Sequence, residues 1–332
     1  MAWIERHWQK VTPLAVLLYP LAMLFGVVVA ARRLFYRVGL LRSTQLPVPV
    51  IVLGNISVGG TGKTPLILWT TGFLARHGFQ PGIVSRGYGR HSQHPQPVTA
   101  DSDPAAVGDE PVMLAQRCDA PIWVGGDRAT TATALLAAHP ACDVIVSDDG
   151  LQHYRLARNV EVAVIDGDRK FGNGWMLPAG PLREPLARLA SVDAVVVNGT
   201  GAADILHHAP RSFRMALQGA SFRNLLNPEH WVGAEYFFGR NVHAIAGIGN
   251  PTRFFSHLQH LGLTFTACPF PDHHPYSSAD LAAFGQSELV MTEKDAVKCR
   301  KFANEHWWAL VVEAELDVGL GDILLRSVER RG

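Results

Sequence analysis

The feature that most constrains the fold of this chain is a glycine-rich turn between a short apolar run and a helical pattern. Residues 48–53 read VPVIVL, a β-branched run typical of a buried parallel strand. Gly-Lys-Thr follows at 62–64, and the helical pattern extends from Lys63 to about His77. This order of strand, glycine-rich loop, Gly-Lys-Thr and helix is that of a phosphate-binding loop. The sequence therefore predicts an α/β fold with a nucleotide site at this turn.

The chemistry of the turn follows from its residue types. Glycine lacks a Cβ, so the backbone can approach phosphate oxygens closely and direct its amides at the anion, together with the helix N-terminus. We expect Lys63 to reach the β- and γ-phosphates and Thr64 to hold Mg²⁺. Ser57 replaces the first glycine of the usual motif, and Val58 stands where membrane-cycling ATPases carry a lysine. The residues expected to bind the nucleotide are Ser57, Val58, Gly59, Gly60, Thr61, Gly62, Lys63 and Thr64.

A second candidate element is the apolar run at 143–148, which closes on two acids, Asp148 and Asp149. In proteins with a phosphate loop, an acid at the end of a neighbouring strand positions Mg²⁺, directly or through water. Both carboxylates are therefore candidate metal ligands, and the sequence does not choose between them. The alternative interpretation is a surface turn with solvated carboxylates.

Further polar residues follow other apolar runs. Arg86 and Arg90, in SRGYGR, are expected to clamp an anionic substrate group. In GDEP, Asp109 and Glu110 begin a helical pattern, so either acid could serve only as a helix cap. Each of these signals is weak alone, because an isolated charged residue is more often structural than catalytic.

The amino-terminal segment suggests attachment to a membrane. Residues 11–31 contain no charged side chain, and Arg6 and Lys10 precede them. A stretch of about 20 apolar residues is long enough to cross a bilayer. Pro13 and Pro20 weaken a straight helix, and crossing would export basic residues, so a helix lying in the membrane interface remains open. A buried hairpin of core helix is the third possibility.

Composition excludes several classes of protein. The 332 residues allow roughly two domains, and 48% hydrophobic residues exclude disorder as the main state. A formal net charge of +1 does not indicate a nucleic-acid partner, and no obligatory protein partner is inferred. The four cysteines are scattered, which excludes a disulfide scaffold and points to a reducing compartment.

Strand and helix signals alternate from Val48 to about Asn198, which predicts a mainly parallel sheet with helices on both faces. From Asn241 the alternation restarts and predicts a second, smaller α/β unit. The stretch from about 210 to 240 is expected to form antiparallel strands or a linker. The predicted division is an N-terminal membrane-associating helix at 1–41, a phosphate-loop core at 42–225 and a smaller α/β domain at 226–332. The predicted strands of the first unit are 48–53, 80–84, 121–124, 143–148, 160–166 and 193–198.

Seven strings in a fixed order resemble those of the tetraacyldisaccharide 4′-kinase (lipid A 4′-kinase) family. They are GNISVGGTGKTP, SRGYGR, GDEP, SDDGLQH, LPAGPLREP, DHHPY and TEKDAVK. The resemblance includes the hydrophobic N-terminal helix and covers about residues 12–325. The serine at position 57 is the family's own form of the loop.

The resemblance implies ATP-dependent phosphorylation of the 4′-hydroxyl of a tetraacylated glucosamine disaccharide 1-phosphate, which gives lipid IVA. It also implies Mg²⁺ and work at the cytoplasmic face of a Gram-negative inner membrane. By resemblance, Asp109 acts with His273 on the acceptor hydroxyl, with the adjacent His274 as an alternative. Arg86, Arg183 and Glu110 are expected near the substrate. Because Asp109 and His273 fall in different units, their pairing requires the cleft between the units to close.

Two other functions compete with this interpretation. A membrane-cycling phosphate-loop ATPase without a small acceptor would not require the DHHPY and GDEP strings. A soluble sugar or nucleoside kinase would leave the apolar N-terminal stretch unexplained. Transfer of labelled γ-phosphate from ATP to a lipid disaccharide distinguishes the three.

Overall fold

The computed structural model describes residues 7–87, 94–199, 201 and 211–329. Arg6 and Arg90, which the sequence analysis singled out, lie outside the described residues. Within these ranges, thirteen strands form one sheet. The strands are β1 (Val50–Gly54), β2 (Pro81–Ser85), β3 (Gln96–Val98), β4 (Ile122–Val124), β5 (Val144–Asp148), β6 (Val160–Asp166), β7 (Ala194–Asn198), β8 (Ser212–Asn224), β9 (Trp231–Gly233), β10 (Val242–Ala246), β11 (Thr266–Pro269), β12 (Glu288–Thr292) and β13 (Trp307–Leu316).

Helices cover both faces of the sheet. A long α1 precedes the first strand, and most of the others follow a strand that they cross back over. The α-helices are α1 (Pro13–Arg37), α2 (Lys63–Arg76), α3 (Pro104–Val107), α4 (Asp109–Ala115), α5 (Arg128–Ala138), α6 (Pro251–His260), α7 (Ser278–Ala282), α8 (Glu293–Cys299) and α9 (Leu320–Glu329). Short 3-10 helices lie at Leu186–Ser191, Ala234–Phe237 and Arg300–Phe302.

The first unit is a parallel sheet in the order β7-β6-β1-β5-β2-β4, with β3 antiparallel at its edge. The predicted mainly parallel α/β fold is confirmed, and each predicted strand lies within two residues of an observed one. Strand β3, which has three residues and includes a proline, was not predicted. In the register of the sheet, Leu53 of β1 lies beside Asp148 of β5, so the acid emerges next to the start of the phosphate loop.

The core explains why these strands read as continuous apolar runs rather than alternating ones. Ile51 and Leu53 face one hydrophobic cluster, which includes Leu66 and Ile67 of α2. Val50 and Val52 face a second cluster on the other side of the sheet. Because both faces are covered, every position of a central strand must be apolar. The loops at the carboxyl ends of the strands are then left to carry polar residues.

Strand β8 connects the two halves of the sheet. It runs parallel to β7 and antiparallel to β13, and β13 continues into β12, β10 and β11. Residues 210–240 were expected to hold antiparallel strands or a linker; β8 pairs antiparallel with β13 and β9, and also joins the halves. The predicted boundary at 225/226 falls directly after this strand. The division into two domains stays a prediction, since the sheet continues across it.

The N-terminal helix α1 lies against the rest of the protein along one narrow edge. Thr12 caps it by accepting a hydrogen bond from the amide of Ala15. Ala15 and Ala22, two turns apart, are its buried residues, whereas Leu17 is 75% exposed. The helix is long and apolar enough to cross a membrane by length and composition, with a mean hydropathy of 2.5 over its best window. Its exposed apolar surface has no partner in the described part of the chain.

A buried ionic cluster fixes the connection between β6 and β7. The guanidinium of Arg188, 2% exposed, contacts Glu184 Oε2 at 3.0 Å and Glu161 Oε1 at 2.5 Å. Glu184 is itself buried and accepts a hydrogen bond of 2.6 Å from the hydroxyl of Tyr154. Each charge is paired, which is the condition under which burying charges is tolerated.

We predict that Arg188→Ala lowers the free energy of unfolding by about 3–5 kcal/mol, because it leaves Glu184 buried without a cation and leaves Glu161 with Arg158 alone. The measurement is equilibrium urea unfolding in a mild detergent. Arg326→Ala, an exposed arginine on α9, is the matched control and should change stability by less than about 0.5 kcal/mol. Equal effects of the two substitutions would contradict the structural role of the cluster.

Candidate active site

The phosphate loop follows β1 and ends at the first residue of α2. Gly59 and Gly62 have φ of +101° and +86°, a left-handed conformation that favours glycine. The loop is held by two side-chain amides: Asn55 Nδ2 donates to the Gly59 carbonyl at 3.1 Å, and Asn198 Nδ2 donates to the Thr61 carbonyl at 3.1 Å. The predicted strand, loop and helix are therefore present, and Gly62 is the N-cap of α2.

Asp149 faces the phosphate loop directly after β5. Its carboxylate lies 3.3 Å from Lys63 Nζ and 2.9 Å from Arg183 Nη1. Burial acts to raise the pKa of Asp149, but the charges of Lys63 and Arg183 outweigh it and hold the pKa well below its usual range. Asp149 also has a φ of +48°, uncommon for a non-glycine residue and frequent at functional sites. Three residues predicted from separate strings thus meet in one ionic cluster.

Asp148 is in a different environment from its neighbour. It is 5% exposed and accepts a hydrogen bond of 2.7 Å from Ser85 Oγ at the end of β2. Burial raises the pKa of Asp148 to about 6, and the negative charges of Glu110 and Asp149 act in the same direction. A bound cation would stabilise the ionised form of this carboxylate.

Asp109 and His273 come together from opposite halves of the sheet. Asp109 begins α4 and is buried; His273 lies in the loop after β11 with a φ of +58°. His273 Nδ1 is 3.2 Å from Asp109 Oδ2, across a separation of 164 residues. The hydrogen bond to Asp109 raises the pKa of His273 above its ordinary value. Burial acts to raise the pKa of Asp109, but the His273 hydrogen bond and the Lys294 charge outweigh it and lower the pKa.

The adjacent histidine is engaged elsewhere. His274 Nε2 lies 3.3 Å from Asp280 Oδ2, and the ring packs against Phe270 with centroids 4.8 Å apart. Asp280 also forms the capping box of α7 with Ser277. His274 therefore supports the local loop and helix, whereas His273 faces the acid of α4.

The remaining predicted residues occupy the rim. Arg86 is exposed directly after β2, next to the serine that contacts Asp148. Glu110 is partly exposed and contacts Lys294 Nζ at 3.3 Å. Lys294 belongs to the TEKDAVK string, but no role was predicted for it. Its position at the start of α8, directly after a buried strand, is the feature of the sequence that could have indicated one.

The second half of the sheet also reaches the phosphate loop. A Cβ placed on Gly249 would lie 3.7 Å from the Gly60 nitrogen, so the loop after β10 passes close to the loop after β1. Arg253 Nη2 donates to Asn198 Oδ1 at 2.7 Å, and Asn198 holds the Thr61 carbonyl. Neither Asn198 nor Arg253 belongs to a motif, so neither was predicted to support the loop. Loops of the two halves thus meet beside the phosphate loop.

Comparison with known proteins gives a consistent result. The family model LpxK, tetraacyldisaccharide-1-P 4′-kinase, matches residues 14–329. The tetraacyldisaccharide 4′-kinase of Methylobacillus flagellatus is 48% identical over 328 residues, covering 99% of this chain and 96% of the relative. That of Dechloromonas aromatica is 49% identical over 333 residues, covering 99% and 98%. The crystal structure of LpxK from Aquifex aeolicus in complex with ATP superposes with a TM-score of 0.80 at 28% identity, covering 95% of this chain and 99% of that one.

We predict that Gly62→Ala destabilises the protein by about 1–3 kcal/mol, because Gly62 is left-handed and a Cβ there would lie 2.2 Å from Asn198 Nδ2. The matched control is Gly60→Ala in the same loop, where a Cβ would meet no heavy atom within 4 Å. The control should stay within about 0.5 kcal/mol of wild type. Urea unfolding of both variants without nucleotide makes the comparison, and equal stabilities would refute the strained geometry of the loop.

Proposed function

The chain belongs to the tetraacyldisaccharide-1-P 4′-kinase family, and from that premise we propose how its own residues carry out the transfer. The function is ATP-dependent phosphorylation of the 4′-hydroxyl of a tetraacylated glucosamine disaccharide 1-phosphate, a step of lipid A biosynthesis. The observation that carries the proposal is the link between the Lys63 cluster and the Asp109–His273 pair through Glu110, which contacts Lys294 Nζ at 3.3 Å and whose charge helps to raise the pKa of Asp148, the neighbour of Asp149. A membrane-cycling ATPase without an acceptor would have no use for the second of these groups.

The phosphate loop and its cations hold the triphosphate. The amides of the loop and the N-terminus of α2 face the phosphates, and Lys63 neutralises the charge of the β- and γ-phosphates. Lys63 and Arg183 share Asp149 in the described structure. Both cations are therefore already held beside the loop, so little reorganisation is needed when charge develops on the transferring group.

The acids at the end of β5 fit a magnesium ion. Asp148 and Asp149 supply carboxylates and Thr64 a hydroxyl, which are the hard oxygen donors that Mg²⁺ prefers. The buried Oδ1 of Asp149 accepts no hydrogen bond from any described residue, although Lys63 Nζ lies 3.3 Å away. We propose that these three residues hold Mg²⁺, which supplies charge neutralisation on the phosphate oxygens.

Asp109 is the proposed acceptor of the hydroxyl proton. The 4′-oxygen forms a bond to the γ-phosphorus while the bond from that phosphorus to the bridging oxygen of ADP breaks, and the hydroxyl proton passes to the carboxylate of Asp109. His273 holds this carboxylate through Nδ1, while its Nε2 lies 3.3 Å from Lys294 Nζ. Because both ring nitrogens are engaged, the carboxylate is the better candidate for the base. Arg86, Arg183 and Glu110 form the proposed substrate rim.

The substrate remains in the membrane, so the site must lie close to the bilayer. Each buried CH₂ of an acyl chain contributes about 0.8 kcal/mol, and four chains therefore hold the disaccharide in the leaflet. We propose that α1 lies in the interface at the cytoplasmic face of a Gram-negative inner membrane. The ring of Tyr19 packs against that of Trp175 with centroids 4.5 Å apart and planes inclined by 53°, and Arg33 Nη2 donates to Ser191 Oγ at 2.7 Å.

These two contacts favour an interfacial helix over a spanning one. They are 14 residues apart, which corresponds to about 21 Å along the helix. A helix that crossed a bilayer core of about 30 Å could not keep both contacts with a protein that stays outside the hydrocarbon. The exposed apolar face, which includes Leu17, Leu24 and Val28, is then free to enter the leaflet.

The function is tested by the transfer of labelled γ-phosphate from ATP to the lipid disaccharide. We expect Lys63→Ala to reduce transfer at least about 100-fold by removing a cation from the developing charge.

Asp109→Asn should reduce kcat by about 10²–10⁴-fold, since an amide cannot accept the proton. His273→Ala should have clearly reduced transfer activity, whereas His274→Ala should retain most of the wild-type activity. Release of free phosphate without labelled lipid would contradict the kinase proposal, and full activity of Asp109→Asn would contradict the assignment of the base.

We predict that replacing Leu17, Leu24 and Val28 by serine together weakens binding to anionic phospholipid vesicles at least about tenfold, because the variant loses apolar burial in the leaflet. Flotation with vesicles measures the bound fraction. Val318→Ser, at a residue 98% exposed away from α1, is the control and should bind as wild type does. If the triple variant floats like the control, α1 is not the membrane-binding element.

A further inference from the structure

We propose that Lys294, at the start of α8, is a positioning residue that fixes the ring orientation and tautomer of His273 in the Asp109–His273 pair. This inference rests on the proposed function of that pair and adds a residue to which the family resemblance gave no role. The three side chains form a continuous line, from the ammonium through the imidazole to the carboxylate.

The contacts of Lys294 come from two segments of the chain, the loop after β11 and the start of α4. Its Nζ lies 3.3 Å from His273 Nε2, 3.3 Å from Glu110 Oε1 and 3.8 Å from Asp272 Oδ1. Asp109 Oδ2 is 4.0 Å away. The side chain is largely buried, and its ammonium contacts both the loop after β11 and the start of α4.

The hydrogen-bonding capacity of Lys294 then determines which nitrogen of the His273 ring carries the proton. An ammonium only donates, so its hydrogen bond to Nε2 requires that nitrogen to be unprotonated. The proton of the neutral ring must then be on Nδ1, where it donates to the carboxylate of Asp109. In free histidine the Nε2–H tautomer competes with this form, and it would turn a lone pair towards the carboxylate. Lys294 therefore selects the tautomer in which His273 supports a proton-accepting Asp109.

The charge of Lys294 also opposes double protonation of the ring. The charged groups facing His273 are Asp109 from α4, Asp272 from its own loop and Lys294 from α8; Glu110 faces Lys294, and Lys298 lies near Asp109. The hydrogen bond to Asp109 acts to raise the pKa of His273, whereas Lys294 acts to lower it. Burial favours neutral Lys294, but the charges of Glu110, Asp109 and Asp272 outweigh it and raise the pKa of Lys294, which stays charged.

The backbone that carries Lys294 is anchored on both sides. Thr292 caps α8 by accepting from the amide of Asp295 at 3.2 Å. The preceding residue, Glu293, accepts two hydrogen bonds of 2.7 Å from Arg117 Nη1, and Arg117 follows α4. Helix α8 is thus connected, through Glu293 and Arg117, to α4, the helix that carries Asp109. Lys294 is therefore held at a fixed distance from the pair, as a positioning role requires.

The test compares three variants of the full-length protein in detergent. Lys294→Met keeps the length of the side chain without its charge, Lys294→Arg keeps the charge, and Lys301→Met changes an exposed lysine on the following 3-10 helix. The imidazole of His273 is followed by ¹⁵N NMR during a pH titration, with His273→Ala used to identify its signals. Steady-state kinetics give kcat and the KM for ATP.

In the wild type we expect the Nδ1–H tautomer. In Lys294→Met the pKa of His273 should rise by about one unit, because a nearby positive charge is lost. Its kcat should fall at least about tenfold while the KM for ATP stays within about twofold. Lys294→Arg should restore the titration towards wild type, and Lys301→Met should not change it.

An unchanged tautomer and pKa in Lys294→Met would overturn the inference, whatever happens to activity, because a merely structural lysine would leave the ring titration in place. The proposed function fails by a different result, namely full activity of Asp109→Asn. A shift of the His273 titration in Lys294→Met with unchanged kcat would also overturn the positioning role. The two proposals are therefore distinguished by separate measurements.

Discussion

The pairing of β8 with two different strands is the constraint on which the candidate site depends. It lies parallel beside β7 and antiparallel beside β13, so one strand of thirteen residues joins two parallel sheets into one. The loops that follow β10, β11 and β12 are thereby brought over the carboxyl ends of β1 and β5. Without that pairing, His273 and Lys294 would have no fixed relation to Asp109 or to the phosphate loop. The sheet acts as the frame that sets the separation of groups far apart in sequence.

Within that frame, the site is organised by alternating charge. Arg183, Asp149 and Lys63 form one ionic line beside the phosphate loop, and Glu110 and Lys294 belong to a second line beside the Asp109–His273 pair. The two are coupled, since the charge of Glu110 helps to raise the pKa of Asp148. Each buried carboxylate except Asp148 faces a cation directly. Asp148 has a serine hydroxyl instead, which is consistent with its proposed place as a ligand of an added cation.

The sequence predicted the parts of this site that follow from local rules. A glycine-rich loop after a buried strand identifies Lys63, and the two acids at the end of a neighbouring strand identify Asp148 and Asp149 together, because parallel strands end at the same edge. The pairing of Asp109 with His273 came from family resemblance, since no local pattern relates residues in two different units. Lys294 was missed because helical spacing does not say which neighbouring element the first turn of a short helix faces. Strand β3 was not predicted because three residues are too few to show the apolar pattern of a strand.

The loop between β6 and β7 connects α1 to the phosphate loop. Trp175 packs against Tyr19 of α1, and Trp8 Nε1 donates to the Pro178 carbonyl at 3.0 Å. A few residues later the same loop meets the phosphate loop, where the amide of Val58 donates to the Pro181 carbonyl at 2.9 Å. Arg183 then reaches Asp149. In the proposed function the acceptor stays in the leaflet, so the phosphate site needs a fixed height above the lipid. With α1 in the proposed interfacial position, this connection would set that height through packed side chains and backbone hydrogen bonds, without requiring the helix to cross the bilayer.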